Sequence, residues 1–159
     1  MAFSNFAMQR YRLYRKMTRN IPEAAKDAAN SATVKGAQRI AALQKQLVPV
    51  DEGDLRDSIV VTKPGGTTPL YSQPGGQKIA REGQALITAG DFDVRYPHLV
   101  EYGTAPHINA GQFAGTVNPG AKAQPFFWPA YRSLRTPVKS SITRAINKAL
   151  KDAAKGGSG

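Results

Sequence analysis

The stretch Leu47-Val48-Pro49-Val50-Asp51-Glu52-Gly53-Asp54-Leu55-Arg56-Asp57-Ser58-Ile59 decides the fold, because the hydrophobic period changes inside it. Upstream of Pro49, apolar residues recur every three or four positions. Downstream, Ser58-Ile59-Val60-Val61 has the β-branched density of a strand. Pro49 removes a backbone donor and biases Val48 away from helical geometry, so the helix stops there. Asp51-Glu52-Gly53-Asp54 is turn chemistry: Gly53 supplies a positive φ, and Asp51 or Asp54 accepts backbone N–H groups. A strand over 55–62 follows, with Leu55 and Ile59 facing inward. Helix and strand in direct succession predict an α+β domain.

Working back, Asn20 is a helix cap, Pro22 suits the first turn, and Glu23 and Asp27 complement the positive helix terminus. Ala25, Ala29, Ala32, Gly36, Ile40, Leu43 and Leu47 then form one stripe to about Val48. The stripe is small-sided through Gly36, so another element packs close to it. Before this helix, residues 1–20 interleave Phe3, Phe6, Met8, Tyr11, Leu13, Tyr14 and Met17 with Arg10, Arg12, Arg15, Lys16 and Arg19. Two readings stay open: a basic-aromatic arm for nucleic acid or a neighbouring subunit, or a short helix that packs its rings on the domain and solvates its Arg tips.

Working forward, residues 64–84 contain Pro64-Gly65-Gly66 and Pro74-Gly75-Gly76 and read as a long flexible loop, a candidate inter-subunit contact through Gly65, Gly66, Gly75 and Gly76. Ala85–Ala89 is a second strand, turned by Gly90-Asp91. Val94–Tyr102 reads as a third strand or a strand with a short helical turn, and 103–123 as another loop. Pro129 and Pro137 each fit a helix first turn, the second capped by Thr136. Val138, Ile142, Ala145, Ile146, Ala149, Leu150 and Ala153 then share one face, with Arg144, Lys148, Lys151 and Lys155 opposite. The expected organisation is an arm or helix at 1–20, one domain at 21–155 and a flexible tail at 156–159. In that domain, long N-terminal and C-terminal helices pack on an antiparallel sheet of three to five strands.

Composition narrows the function. The 159 residues carry 22 Lys+Arg against 11 Asp+Glu, a formal net charge of +11. Residues 1–20 hold five basic and no acidic residue, and 21–63 hold six of each. Residues 64–120 hold three basic against four acidic, and 121–159 hold eight against one. The middle is neutral and both ends are cationic. With no Cys, disulfides, thiolate zinc sites and thiol nucleophiles are excluded. No apolar run is long enough to cross a membrane, and no apolar segment follows the N-terminal basic residues as in a secretory signal.

Chemistry-bearing motifs are sparse. His98 and Glu101 are three apart, yet no third metal ligand lies at a recognisable spacing, and His107 sits in a Gly/Pro-rich loop. Asp51, Asp54 and Asp57 lack the twelve-residue calcium loop. There is no phosphate-cradling loop and no nucleophile elbow. The sequence therefore predicts no catalytic residue, no metal and no cofactor. Charge alone licenses non-specific phosphate contact, which keeps a small basic nucleic-acid-binding protein as the alternative function.

Three ordered stretches carry a resemblance. They are Leu47–Ile59, quoted above, then Tyr96-Pro97-His98-Leu99-Val100-Glu101-Tyr102-Gly103-Thr104, then Gln124-Pro125-Phe126-Phe127-Trp128-Pro129-Ala130. Together they resemble the neck and tail-component proteins of long-tailed phages, the gene-product-ten-like family of lambdoid siphophages, over roughly residues 22–152. The positions carried over are Pro49, Asp51, Gly53, Leu55, Ser58, Glu101, Gly103, Thr104, Gln124, Pro125, Phe126 and Pro129, all read as structural hinges and core plugs. In residue terms, Gly103 ends its element sharply, Glu101 anchors a turn or pairs with an Arg, and Phe126, Phe127 and Trp128 are a large apolar payload ahead of a helix.

The resemblance implies a non-enzymatic structural protein of the virion neck, assembled in the host cytoplasm, that joins the head connector to the tail. It implies a homo-oligomeric ring, six copies first and twelve as the alternative. The implied partners are portal-side head proteins and tail tube or tail terminator proteins. The cationic residues Arg10, Arg12, Arg15, Lys16, Arg19, Arg144, Lys148, Lys151 and Lys155 are then candidates for contact with ring partners or with DNA in the channel.

Overall fold

Helix α1, Glu23–Leu47, buries Ala25, Gly36, Ala37, Ile40, Ala41 and Gln44, and most of this face lies along the C-terminal helix. The small-sided stripe has the expected consequence: a Cβ on Gly36 would fall 2.5 Å from Val138 Cγ1. Leu47, placed on that stripe by its spacing, is exposed, and Val48 is buried in its stead. The computed structural model describes residues 23–156. The basic-aromatic stretch at 1–20 and the residues 157–159 lie outside them.

After α1 the chain turns through Gly53, whose φ of 101° is the left-handed conformation expected of it. The strand expected over 55–62 is shorter. Asp54–Asp57 forms a one-turn helix, α2, and β1 spans only Val60–Thr62. Backbone bonds from Asp57 N to Gly53 O (3.0 Å) and from Ser58 N to Asp54 O (2.9 Å) wind this turn, and no side chain caps it. Leu55 and Ile59 do face inward, at 5% and 1% exposure.

Strand β1 pairs antiparallel with β2, Leu86–Thr88, in the register Val60↔Thr88, Val61↔Ile87 and Thr62↔Leu86. This sheet has two strands, fewer than expected, because Val94–Tyr102 yields a helix, α3 at Pro97–Tyr102, with Pro97 in its first turn. The segment 103–123 is more than a loop. It contains a second antiparallel pair, β3 at His107–Ile108 and β4 at Val117–Asn118, around a short 3₁₀ turn at Gly111–Phe113.

Helix α4 runs unbroken over Phe127–Gly156 with Pro137 inside it. Pro129 lies in the first turn, as its position suggested, whereas Pro137 starts no new helix and Thr136 caps none. Val138 continues the inward face begun by Ala130, so packing against α1 outweighs the single backbone bond that Pro137 forfeits. Ile142, Ala145, Ile146, Ala149 and Ala153 are half-buried on that side, and Leu150 is exposed. The core gathers Ala41, Val48, Leu55, Ile59, Ala89, Val94, Phe126 and Phe127, where α1, the β1–β2 pair and the start of α4 meet.

Candidate subunit interface

The three stretches singled out in the sequence converge on one hub. Ser58 donates from Oγ to Leu55 O (2.8 Å) and accepts from Gly90 N (2.9 Å), stapling α2 to the turn after β2. Glu101, on α3 and 6% exposed, reaches the start of α4. Its Oε2 accepts from Phe126 N and Phe127 N, both at 2.8 Å, and its Oε1 accepts from Trp128 N at 3.2 Å. These are the donors a helix N-terminus leaves unsatisfied, and a carboxylate there also meets the positive end of the helix dipole. Among the described residues Glu101 takes neither of the two roles expected for it, anchoring the turn at Gly103 or pairing with an Arg: its carboxylate caps the start of α4 instead.

The surrounding aromatics extend the hub outward. Trp128 Nε1 donates to Tyr102 Oη at 2.7 Å, and Phe126, Phe127, Trp128 and Tyr131 stack edge-to-face in sequence. Gly103, at φ 72°, has no room for a side chain, since a Cβ would lie 2.6 Å from Ala121 O. Gln124 N bonds Val100 O at 2.8 Å, and Thr104 bridges to Ala121. Pro125 is exposed beside Phe126, which is buried to 1%. Pro49 is half-buried and Asp51 is exposed at the turn after α1.

Both Glu101 oxygens are engaged by backbone donors, so the His98–Glu101 spacing makes no metal pair. His98 Nδ1 instead faces Gln73 Nε2 at 3.0 Å across a cleft of about 70 Å³. Among the described residues no three His, Asp or Glu side chains gather as metal ligands.

The 64–84 segment does not project as a free arm. Thr68, Ser72 and Ala80 are buried to 2%, 0% and 1%. Gly65 N bonds Ala80 O, Gly76 N bonds Ser72 O, and Gly83 N bonds Asn30 Oδ1 on α1. Gly66 and Gly76 are half-buried, while Gly65 and Gly75 are exposed. Backbone satisfaction by its own body is what holds this Gly/Pro-rich run in place.

The segment that projects is the β3–β4 hairpin. Ile108, Phe113 and Val117 are 71%, 65% and 73% exposed, although all three are large and apolar. The hairpin keeps its shape through local polar bonds, Asn109 Nδ2 to Thr116 Oγ1 (2.9 Å) and Thr116 Oγ1 to Phe113 O (2.7 Å), not through a core. An isolated two-stranded hairpin is marginal in water, and clustered exposed apolar side chains mark interaction surfaces. The sequence did contain a signal for it: β-branched residues at Ile108 and Thr116-Val117 flank Gly111 and Gly115. On α4, Arg144, Lys148, Lys151 and Lys155 are exposed along the outer face. Arg10, Arg12, Arg15, Lys16 and Arg19 fall outside the described residues.

A family model described as "Bacteriophage HK97-gp10, putative tail-component" matches residues 12–103 of the chain. The match begins earlier than the resemblance read from the sequence and stops at Gly103, so the Gln124–Ala130 stretch lies beyond it. No curated protein and no solved structure matches the chain significantly.

Proposed function

We propose that this chain, which belongs to the HK97-gp10-like family, is a structural protein of the phage neck that joins the head connector to the tail as a homo-oligomeric ring. The observation that carries the reading is the β3–β4 hairpin, which exposes Ile108, Phe113 and Val117 on a base fixed by Gly103 and the Thr104–Ala121 bridge. A projecting apolar arm on a rigid base suits contact with the next copy around a closed ring.

The division of labour supports the same function. The side chains of the hub are spent on holding the domain together, so specificity belongs to what the domain presents outward: the hairpin, the cationic face of α4 and the N-terminal residues. Portal-side head proteins and tail tube or terminator proteins are the partners of such a ring. Six copies are the first expectation and twelve the alternative. No helix among the described residues is long and apolar enough to cross a membrane.

Sedimentation equilibrium of the purified chain tests this function. The expected species is a closed multiple of the 17.1 kDa protomer. A chain that stays monomeric and binds duplex DNA tightly at physiological salt, with affinity falling steeply as salt rises, would replace the neck function with nucleic-acid binding.

A further inference from the structure

The turn after α1 opens beside a groove of about 380 Å³. Its lining includes the apolar surfaces of Pro49, Val50, Tyr96 and Val100, and its lip is acidic, with Asp51, Glu52 and Asp54. Val50 is 57% exposed and Tyr96 41%, so the apolar lining is open to solvent. Of the 11 acidic residues in a chain of charge +11, four fall within residues 51–57. Among the described residues only Asp57 of these four has an ion-pair partner, the adjacent Arg56 at 3.1 Å.

We infer that this groove receives the basic-aromatic segment Arg10–Arg19 of a second copy of the chain. The inference rests on the ring assembly proposed above and names a second contact between its copies, beside that of the hairpin. Chemical complementarity and reach select this occupant. An apolar lining beside acidic residues calls for rings and cations in alternation. Arg10-Tyr11-Arg12-Leu13-Tyr14-Arg15-Lys16 supplies that alternation. The outer face of α4 offers Arg144, Lys148, Lys151 and Lys155 without interleaved apolar side chains.

The groove lies at the C-terminal end of α1, and its 25 residues separate the groove from Glu23 by about 36 Å at 1.5 Å per residue. Arg15 is eight residues before Glu23, which spans at most about 28 Å when fully extended. The backbone from Tyr14 to Arg19 therefore falls short of the groove of its own chain, and Arg10 to Leu13 would reach it only as a nearly straight strand of about 35–45 Å, whereas the same segment of a neighbour faces no such limit. Contact between copies also joins the positive end of one protomer to the most acidic turn of the next, which gives the ring a direction.

The chain has no Cys, so cross-linking provides a clean test. Two full-length variants are prepared, Tyr14→Cys and Val50→Cys, each retaining the wild-type oligomeric mass. Co-expressed and mildly oxidised, they should give a disulfide-linked pair at twice the protomer mass that neither variant gives when oxidised alone. The pair should be lost when the second variant also carries Asp51→Asn, Glu52→Gln and Asp54→Asn. A ring of normal mass with no cross-link overturns the groove contact and leaves the ring intact. A monomer with no cross-link overturns both. A cross-link that persists undiminished after the three neutralisations overturns the electrostatic basis of the contact.

Discussion

Glu101 holds Phe127 by its backbone: Oε2 accepts the Phe127 N–H at 2.8 Å while also taking that of Phe126 at the same distance. One buried carboxylate thereby ties α3 to the start of α4, two elements separated by the whole hairpin. Glu101→Ala leaves three donors without their acceptor and should cost about 3 kcal/mol, lowering Tm by roughly 6–12 °C for a domain of this size. Glu101→Gln keeps one acceptor oxygen and should cost less. Hydrogen exchange at Phe126, Phe127 and Trp128 is the direct measurement, since these amides should lose protection before the rest of α4.

Phe126 and Trp128 carry unequal shares of the aromatic payload. Phe126 is 1% exposed and sits in the core, so Phe126→Ala should cost about 3–5 kcal/mol. Trp128 is only partly buried at the core's edge and hydrogen-bonds the exposed Tyr102. Trp128→Ala should therefore fall below that range in chemical denaturation. If it also dissolves the oligomer, the ring of Trp128 is an interface anchor as well as a core-edge residue.

Gly36 and Val138 are predicted to couple energetically, because a Cβ on Gly36 would lie 2.5 Å from Val138 Cγ1. Gly36→Ala gains helix propensity but overpacks the α1–α4 contact, a net loss of about 1–2 kcal/mol. Val138→Ala alone leaves a cavity. In the double variant the added methyl fills space that the valine vacated, so the two losses should not add. A double-mutant cycle by urea unfolding should return a favourable coupling of at least about 1 kcal/mol.

What was legible in the sequence follows from how local each determinant is. Pro49 and Gly53 act on their own backbone, and the Ala/Gly stripe of α1 announces a close neighbour whatever that neighbour is. Ser58-Ile59-Val60-Val61 has strand composition and predicts a strand over 55–62, while the α2 turn is wound by backbone bonds and the Ser58 hydroxyl, which leave no periodic mark. Pro137 is the opposite case: a local helix breaker is carried by a tertiary face that composition does not reveal. Gln44 was invisible, since a glutamine on α1 reads as surface. It is fully buried, donating from Nε2 to Phe127 O at 3.1 Å. The Glu101 hub was visible only as three separate stretches, because its bonds run to backbone amides about 25 residues away.

The hairpin separates assembly from folding. Ile108 and Val117 face each other in register across β3 and β4, and both are more than 70% exposed. Replacing exposed side chains away from caps and cores usually changes stability by less than about 0.5 kcal/mol. Ile108→Ser with Val117→Ser should therefore leave the thermal midpoint of the isolated protomer nearly unchanged. If the hairpin is the contact between copies, the same pair removes apolar area from every interface of the ring. At about 25 cal/mol per Å², losing most of two such side chains weakens each contact by about 2–4 kcal/mol, enough to shift association by more than tenfold. Sedimentation across a dilution series should show the variant dissociating at concentrations where the parent holds its full mass. Loss of the thermal midpoint together with the mass would instead assign the hairpin to folding, and an unchanged mass would remove it from the interface.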